Sequence, residues 1–290
     1  MTPKAEAERL ILAGAPIPAE LARQVTELSF AARCGISDLA PVAVFENLQS
    51  LHLHFNPITD LSPLAGLGKL EELGLSDGGV ADLSPLARLT SLRSLELAGN
   101  PIVDIAPLAE LRALTFLNLN NVQVSDLSPL SGLVALEGLF LWQVPATDFS
   151  PIAGLHRLVG LCVSHTAITD IGVLTAMEQL EELDISETRV ADLSPLGNAR
   201  RLRLLQASST AISDIAPLAN ARGMQELYLN RTKVSDLTPL KGMAELDRLW
   251  LTDCPVVDAR ILAALPPINE LSLSGTGIVD RSLLKHHNVI

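Results

Sequence analysis

Twelve aspartates stand in one frame along the chain: Asp38, Asp60, Asp82, Asp104, Asp126, Asp148, Asp170, Asp192, Asp214, Asp236, Asp258 and Asp280. A hydroxyl and a proline often follow, as in DLSPL at 60–64, 82–86, 126–130 and 192–196. An acid beside a hydroxyl can hold a hard cation or fix a turn. A calcium cage needs several oxygen ligands converging on one ion. The flanking positions supply mostly Thr, Leu, Ile, Ser and Ala, which serve calcium badly. A carboxylate entering a turn can instead accept the backbone N–H groups that follow it, as an Asx-turn or an N-cap. Ala106 and Ala216 show that the hydroxyl is dispensable, whereas the aspartate is never replaced. The row reads as scaffold.

Two smaller groupings carry other chemistry. Cys162 and His165 lie near Asp184 in the repeat frame, the residue types of an activated thiol. On an open strand face, with no pocket and the histidine at the strand's end, this grouping is not read as catalytic. His52 and His54 have the spacing that puts two side chains on one face of a strand, a possible metal pair. Gly74 and Ser76 face them in the next repeat, leaving only Asp77 as a third donor, so no metal site is assigned. His286 and His287 read as polar terminal residues. The chain has no phosphate-cradling loop, dinucleotide fingerprint or nucleophile elbow. No catalytic residue and no cofactor are assigned.

The elements that position these residues follow from a period of 22. Units begin at Leu48, Leu70, Leu92, Leu114, Leu136, Leu158, Leu180, Leu202, Met224, Leu246 and Ile268, after a degenerate unit near 25–45 with one inserted residue. Each follows LxxLxLxxxxI/VxDLxPLxxL. The LxxLxL portion predicts a short half-buried strand. Apolar positions 11, 14, 17 and 20 turn inward through a return segment, where proline at position 16 suits a first helical turn. One such coil buries little by itself, so neighbouring coils must share a core.

This pattern resembles the leucine-rich repeat family in its 22-residue internalin-like class, as in LQSLHLHFNPITDLSPLAGL (48–67) and LRSLELAGNPIVDIAPLAEL (92–111). The resemblance implies an α/β fold: a curved right-handed solenoid with a parallel sheet on the concave face and short 3-10-like segments on the convex face. It implies a protein-interaction role, as an adaptor or as an effector delivered to a host cell. Position 9 departs from the family's buried asparagine. Only Asn56 and Asn100 keep it; Thr166, Thr188, Thr210, Thr232 and Thr276 replace it, with Cys34 and Cys254 towards the ends. Weaker hydrogen bonding in this ladder is expected.

Three segments are expected: a helical cap over 1–24, about twelve repeats over 25–280, and a C-terminal cap over 281–290. Thr2 before Pro3 marks a helix over 2–13, PAELARQV (18–25) marks a second, and Asp258 and Asp280 could cap short helices in ARILAAL and RSLLKHH.

Function should then reside in strand positions facing out of the sheet, taken as columns 3, 5, 7 and 8. Six of the nine aromatics fall there: Phe55, Phe116, Phe140, Trp142, Tyr228 and Trp250. Exposed aromatics on a sheet face are typical anchors for a protein partner. Phe116, Phe140 and Trp142 form one group with His165. Tyr228 and Trp250 form another, with Arg231, Arg248 and Lys233 beside them, and the acids Glu181, Glu182, Asp184 and Glu187 lie between the groups. The expected function is non-enzymatic binding of a protein partner. Alternatives are a regulatory or inhibitor module for a separate enzyme and, more weakly, glycan or metal binding.

The net charge of −12 disfavours nucleic acid and anionic membranes as partners. The twelve frame aspartates account for that whole charge, so it does not argue for a basic partner. No run of 18 apolar residues is present, and the N-terminus lacks the basic start of a secretory signal. Three dispersed cysteines suit a reducing compartment. A cytoplasmic monomer is expected, with export by a route lacking such a signal as the alternative.

Overall fold

The leucines of each LxxLxL segment are fully buried, and the residue between two of them in the strand pairs with its neighbours above and below. In the coil beginning at Leu48, for example, Leu48, Leu51 and Leu53 are 0–1% exposed. That alternation forces the backbone into an extended conformation, whose N–H and C=O groups must find partners in adjacent coils. They do so in parallel. The computed structural model, which describes residues 1–30 and 33–290, falls into two units, Met1–Leu155 and His156–Ile290.

The first unit opens with two helices, α1 (Pro3–Leu12) and α2 (Ala19–Gln24). Thr2 caps α1, its hydroxyl accepting from the N–H of Ala5 at 3.2 Å. Strands β1 (Glu27–Ser29), β2 (Ser50–His52), β3 (Glu72–Gly74), β4 (Ser94–Glu96), β5 (Phe116–Asn118) and β6 (Gly138–Phe140) follow, each parallel to the next. α1 lies against the outer edge of β1. The Glu8 carboxylate accepts the N–H of Ser29 at 2.8 Å, a backbone group that an edge strand leaves open, and Lys4 pairs with the Glu27 side chain at 2.5 Å.

The second unit holds β7 (Gly160–Cys162), β8 (Glu182–Asp184), β9 (Leu204–Gln206), β10 (Glu226–Tyr228), β11 (Arg248–Trp250) and β12 (Glu270–Ser272), again parallel in sequence order. A four-residue helix α3 (Arg260–Ala263) precedes β12. The C-terminal tail then pairs with β12: the Leu271 N–H donates to Asn288 and the Ile290 N–H to Leu271, both at 3.0 Å. The RSLLKHH segment holds only the 3-10 turn Ser282–Leu284, shorter than the helix its sequence suggests.

Every return segment is built on its aspartate. In all twelve coils Oδ1 accepts the backbone N–H two residues on, at 2.7–2.9 Å. A short 3-10 segment follows, usually with proline in its first turn, although Gly172–Leu174 forms one without proline. Serine hydroxyls add a second bond to Oδ2 from Ser62, Ser84 and Ser194, at 2.7–2.9 Å.

The ladder at position 9 is uneven, for a stereochemical reason. Asn100 spans two coils, accepting from Val80 at 3.0 Å and donating to Leu75 at 2.9 Å as well as to its own Leu97. Thr166 and Thr188 are shorter and donate only within their own coils, to Val163 and Ile185 at 2.6 Å. Cys254 reaches the previous coil through Leu229 at 2.9 Å, whereas Cys34 is exposed.

Candidate functional site

The strands are only three residues long and cover positions 3 to 5 of each repeat, so columns 7 and 8 lie in the turn that follows rather than on the strand. Column 8 is left-handed: Phe55, Asp77, Asn121, Gln143, His165, Glu187, Ser209, Arg231 and Asp253 have φ of 55–59°. Such a backbone is unfavourable for side chains like Phe or Arg. Column-8 N–H groups that donate to the next coil hold it, as Phe55 does to Ser76 at 2.8 Å and Arg231 to Thr252 at 2.8 Å. Phe55, His165, Glu187 and Arg231 are exposed, but they leave the sheet face at the turn.

In the first unit Phe116 and Phe140 are brought together. Their ring centroids are 5.3 Å apart with planes at 41°, a tilted aromatic pair. Register explains the contact. Phe116 faces Gly138, and Phe140 faces Asn118, so the rings meet on a diagonal over the glycine. A Cβ at Gly138 would come within 3.0 Å of the Phe116 ring. Both rings are half-buried, while Trp142 is 36% and Phe55 45% exposed. The backbone N–H of Trp142 is fixed by Asn120 Oδ1 at 2.7 Å, a partner that lies one coil back.

In the second unit Tyr228 and Trp250 face each other directly on β10 and β11, edge to face, with centroids 5.3 Å apart and planes at 65°. The polar end of Tyr228 is tied down by Glu226, a residue outside the sequence-based site. The Tyr228 hydroxyl donates to Glu226 at 2.7 Å, and the Arg248 guanidinium donates to the same carboxylate at 2.6 Å and lies 3.5 Å from Glu270. Burial and then the Glu226 carboxylate push the tyrosine hydroxyl up to about 12. Arg231 pairs with Asp253 at 3.7 Å. Both arginines expected to orient a partner are thus already neutralised by neighbouring acids. For Arg248 the alternation of Glu226, Arg248 and Glu270 in column 3 was the signal that could have shown this, and for Arg231 it was Asp253 in column 8 of the next coil. The Trp250 indole nitrogen is buried with no hydrogen-bond partner among the described residues. Such an orphan donor is costly in a folded protein.

The acidic coil is mixed in character. Glu182 and Glu187 are exposed, and Glu181 lies 3.9 Å from Arg203. Asp184 is engaged: it accepts the N–H of Ser186 at 2.9 Å and the Cys162 thiol at 3.6 Å. Burial pushes that thiol up from its ordinary value, with the Asp184 charge adding to it and Ser164 opposing. A nucleophilic cysteine needs the opposite shift. The arrangement therefore argues against thiolate chemistry at Cys162.

His52, His54 and Glu96 each offer a ligand atom within 4.8 Å of the others, a grouping on the strand face of the first unit. Glu96 was missed in the sequence because it lies two coils from His52 rather than one. No helix among the described residues is long and apolar enough to cross a membrane.

No protein-family model matches the chain, and no curated protein matches it. Among solved structures it is similar to an internalin (InlF) from Listeria monocytogenes, with a TM-score of 0.89 and 28% identity over 99% of this chain and 94% of that one. It is also similar to a leucine-rich repeat protein of Leptospira interrogans, with a TM-score of 0.81 and 19% identity over 95% and 81% of the two chains. A third similarity is to the leucine-rich repeat ectodomain of the Arabidopsis thaliana receptor kinase GASSHO1/SCHENGEN3, solved in complex with CASPARIAN STRIP INTEGRITY FACTOR 2. Its TM-score is 0.73 at 18% identity, over 90% of this chain and 34% of the receptor ectodomain. The last two are likenesses of fold alone.

Proposed function

We propose that this chain, a leucine-rich repeat protein of the internalin-like 22-residue class, is a non-enzymatic module that binds a protein partner through the outward columns of its strands. The observation that carries this reading is the Tyr228–Trp250 pair. Two large rings sit edge to face, and the tyrosine is held in one orientation through Glu226 and Arg248. Preorganised aromatic area of this kind loses little conformational entropy on binding and is typical of interface anchors.

Phe116, Phe140 and Trp142 form a second apolar anchor, and the exposed Glu182 and Glu187 add negative charge beside the anchors. His165, Asp184, Arg231 and Arg248 have supporting parts in this reading, shaping and framing the anchors. The fold similarity to a receptor ectodomain solved with a bound factor supports a binding role in general terms. The three cysteines are free, which suits a monomer working in the cytoplasm.

The test is affinity capture with the wild-type chain against a Trp142→Ala, Trp250→Ala double variant. A partner held through the aromatic anchors is captured by wild type and lost with the variant, while far-UV circular dichroism and thermal midpoint show that the coils survive. Equal capture by both proteins would overturn the reading.

A further inference from the structure

Register places His52 on β2, Gly74 on β3 and Glu96 on β4 opposite one another. Glycine in the middle removes the side chain that would separate the outer two. A Cβ added to Gly74 would collide with Nε2 of His54 and stand 2.9 Å from Nδ1 of His52. Two ring nitrogens therefore converge on the hollow above this glycine. Glu96 Oε1 lies 3.9 Å from His54 Nε2 on its far side. Asp77, the third donor suggested by the sequence, instead turns its carboxylate against Gly99.

The surrounding hydrogen bonds fix which nitrogen of His52 is available. Ser50 Oγ donates to Glu72 at 3.0 Å, leaving its lone pair for His52 Nε2 at 3.1 Å. His52 Nε2 thus carries the proton, and the Nδ1 lone pair faces the hollow. A relay of this kind, from imidazole through an oxygen to a carboxylate, commonly supports metal-bound histidines from behind.

We propose that His52, His54 and Glu96 bind one divalent transition-metal ion of the zinc class in the hollow above Gly74. Two imidazoles and one carboxylate are a known three-ligand zinc set, with a fourth position left over. Here that position opens outward, to water or to a donor on another molecule. Metal–ligand bonds of about 2.0–2.2 Å require ligand atoms about 3.4 Å apart. The donors all lie within 4.8 Å of one another, so bringing them onto one ion requires only a short approach of their side chains. His54 sets a limit on affinity. Its Nδ1 accepts the Ser76 N–H at 3.2 Å, so its proton sits on Nε2. Metal entry must move that proton and give up the Ser76 bond, which weakens binding. The site does not depend on the protein-binding reading.

The experiment titrates the full chain with Co²⁺, followed by visible absorption, and then displaces the cobalt with Zn²⁺. One equivalent of cobalt is expected to bind, with zinc competing. His52→Ala, His54→Ala and Glu96→Gln should each weaken binding at least tenfold. Gly74→Ala keeps every ligand but fills the hollow, and should weaken binding equally while the chain stays folded by circular dichroism and thermal midpoint. His156→Ala, at an exposed histidine away from the hollow, is the control and should leave binding unchanged. Absence of stoichiometric cobalt binding would overturn the site, as would binding that persists after loss of His52 and His54 or that Gly74→Ala leaves intact.

Discussion

Asp60 and His52 lie eight residues apart in one coil and follow different rules. Asp60 sits in the return turn, where its carboxylate accepts the Ser62 N–H at 2.8 Å, and the same bond recurs in every coil. His52 sits on the strand, where the next coil has glycine and the one after has glutamate. The turn row is invariant because each carboxylate answers a need of its own backbone: an N–H group left unpaired where the strand gives way to the 3-10 segment. The strand face varies because the coil does not need those side chains. What one unit places there gains meaning only from what the next two place beside it.

The comparison is broken most directly in the core. Leu227 and Tyr228 are neighbours on β10, one pointing into the coil and fully buried, the other out. Leu227→Ala should destabilise by about 2–5 kcal/mol, the range for a leucine truncated in a packed interior. His52→Ala, on an outward column, should stay within about 0.5 kcal/mol. Urea denaturation of the two variants measures the contrast. Similar losses in both would mean that the strand face is structural after all.

A smaller effect belongs to the turn row, and its sign follows from the carboxyls. Those of Asp82, Asp126, Asp148, Asp192 and Asp280 are held below the ordinary value first by the N–H of the following serine, then by its hydroxyl; for Asp60 and Asp236 the hydroxyl leads. Asp258, bonded first by the Arg260 side chain, is brought down to about 2. A carboxyl that is more acidic folded than unfolded stabilises the fold above its unfolded value. That contribution disappears as pH falls through the folded value. The thermal midpoint should therefore hold steady down to about pH 4, the ordinary aspartate range, and fall steadily from there towards pH 2. Replacing Asp60, Asp82 and Asp192 together by Asn keeps an Oδ1 acceptor but removes the titration, and should flatten that decline. An unchanged acid profile in the triple variant would assign the loss to other carboxylates.

The repeat, its strands and its Asp–Pro turns were legible because each is written many times and a single frame exposes it. The Phe116–Phe140 and Tyr228–Trp250 pairings were legible for the same reason: adjacent coils put adjacent columns together. What stayed hidden depends on more than one step across the sheet or on backbone geometry. Glu96 joins His52 only because Gly74 between them has no side chain. Glu226 and Glu270 neutralise Arg248 from both sides, which a list of the cations alone does not reveal. Column 8 was taken for an outward strand position. Phe and Arg do not favour a left-handed backbone, and hydrogen bonding of Phe55 and Arg231 to the next coil holds it. The N-terminal helix was legible from Thr2 and Pro3, but its Glu8 bond to the edge of β1 was not.

The smallest effect separates the two parts of a single turn. Asp192 Oδ1 accepts the Ser194 N–H at 2.7 Å, and Oδ2 accepts the Ser194 hydroxyl at 2.7 Å. Ser194→Ala removes only the second. The turn should persist, because the coils with Ala106 and Ala216 in this column keep the N–H bond at 2.8 and 2.7 Å. The Asp192 carboxyl should move up towards the ordinary aspartate range without reaching it, since the N–H is the larger cause of its acidity. A carbon-13 NMR titration of that one carboxyl reads the change. A carboxyl that does not move would mean that the hydroxyl contributes nothing in solution, and that the serine recurring in DLSPL is kept for something other than this turn.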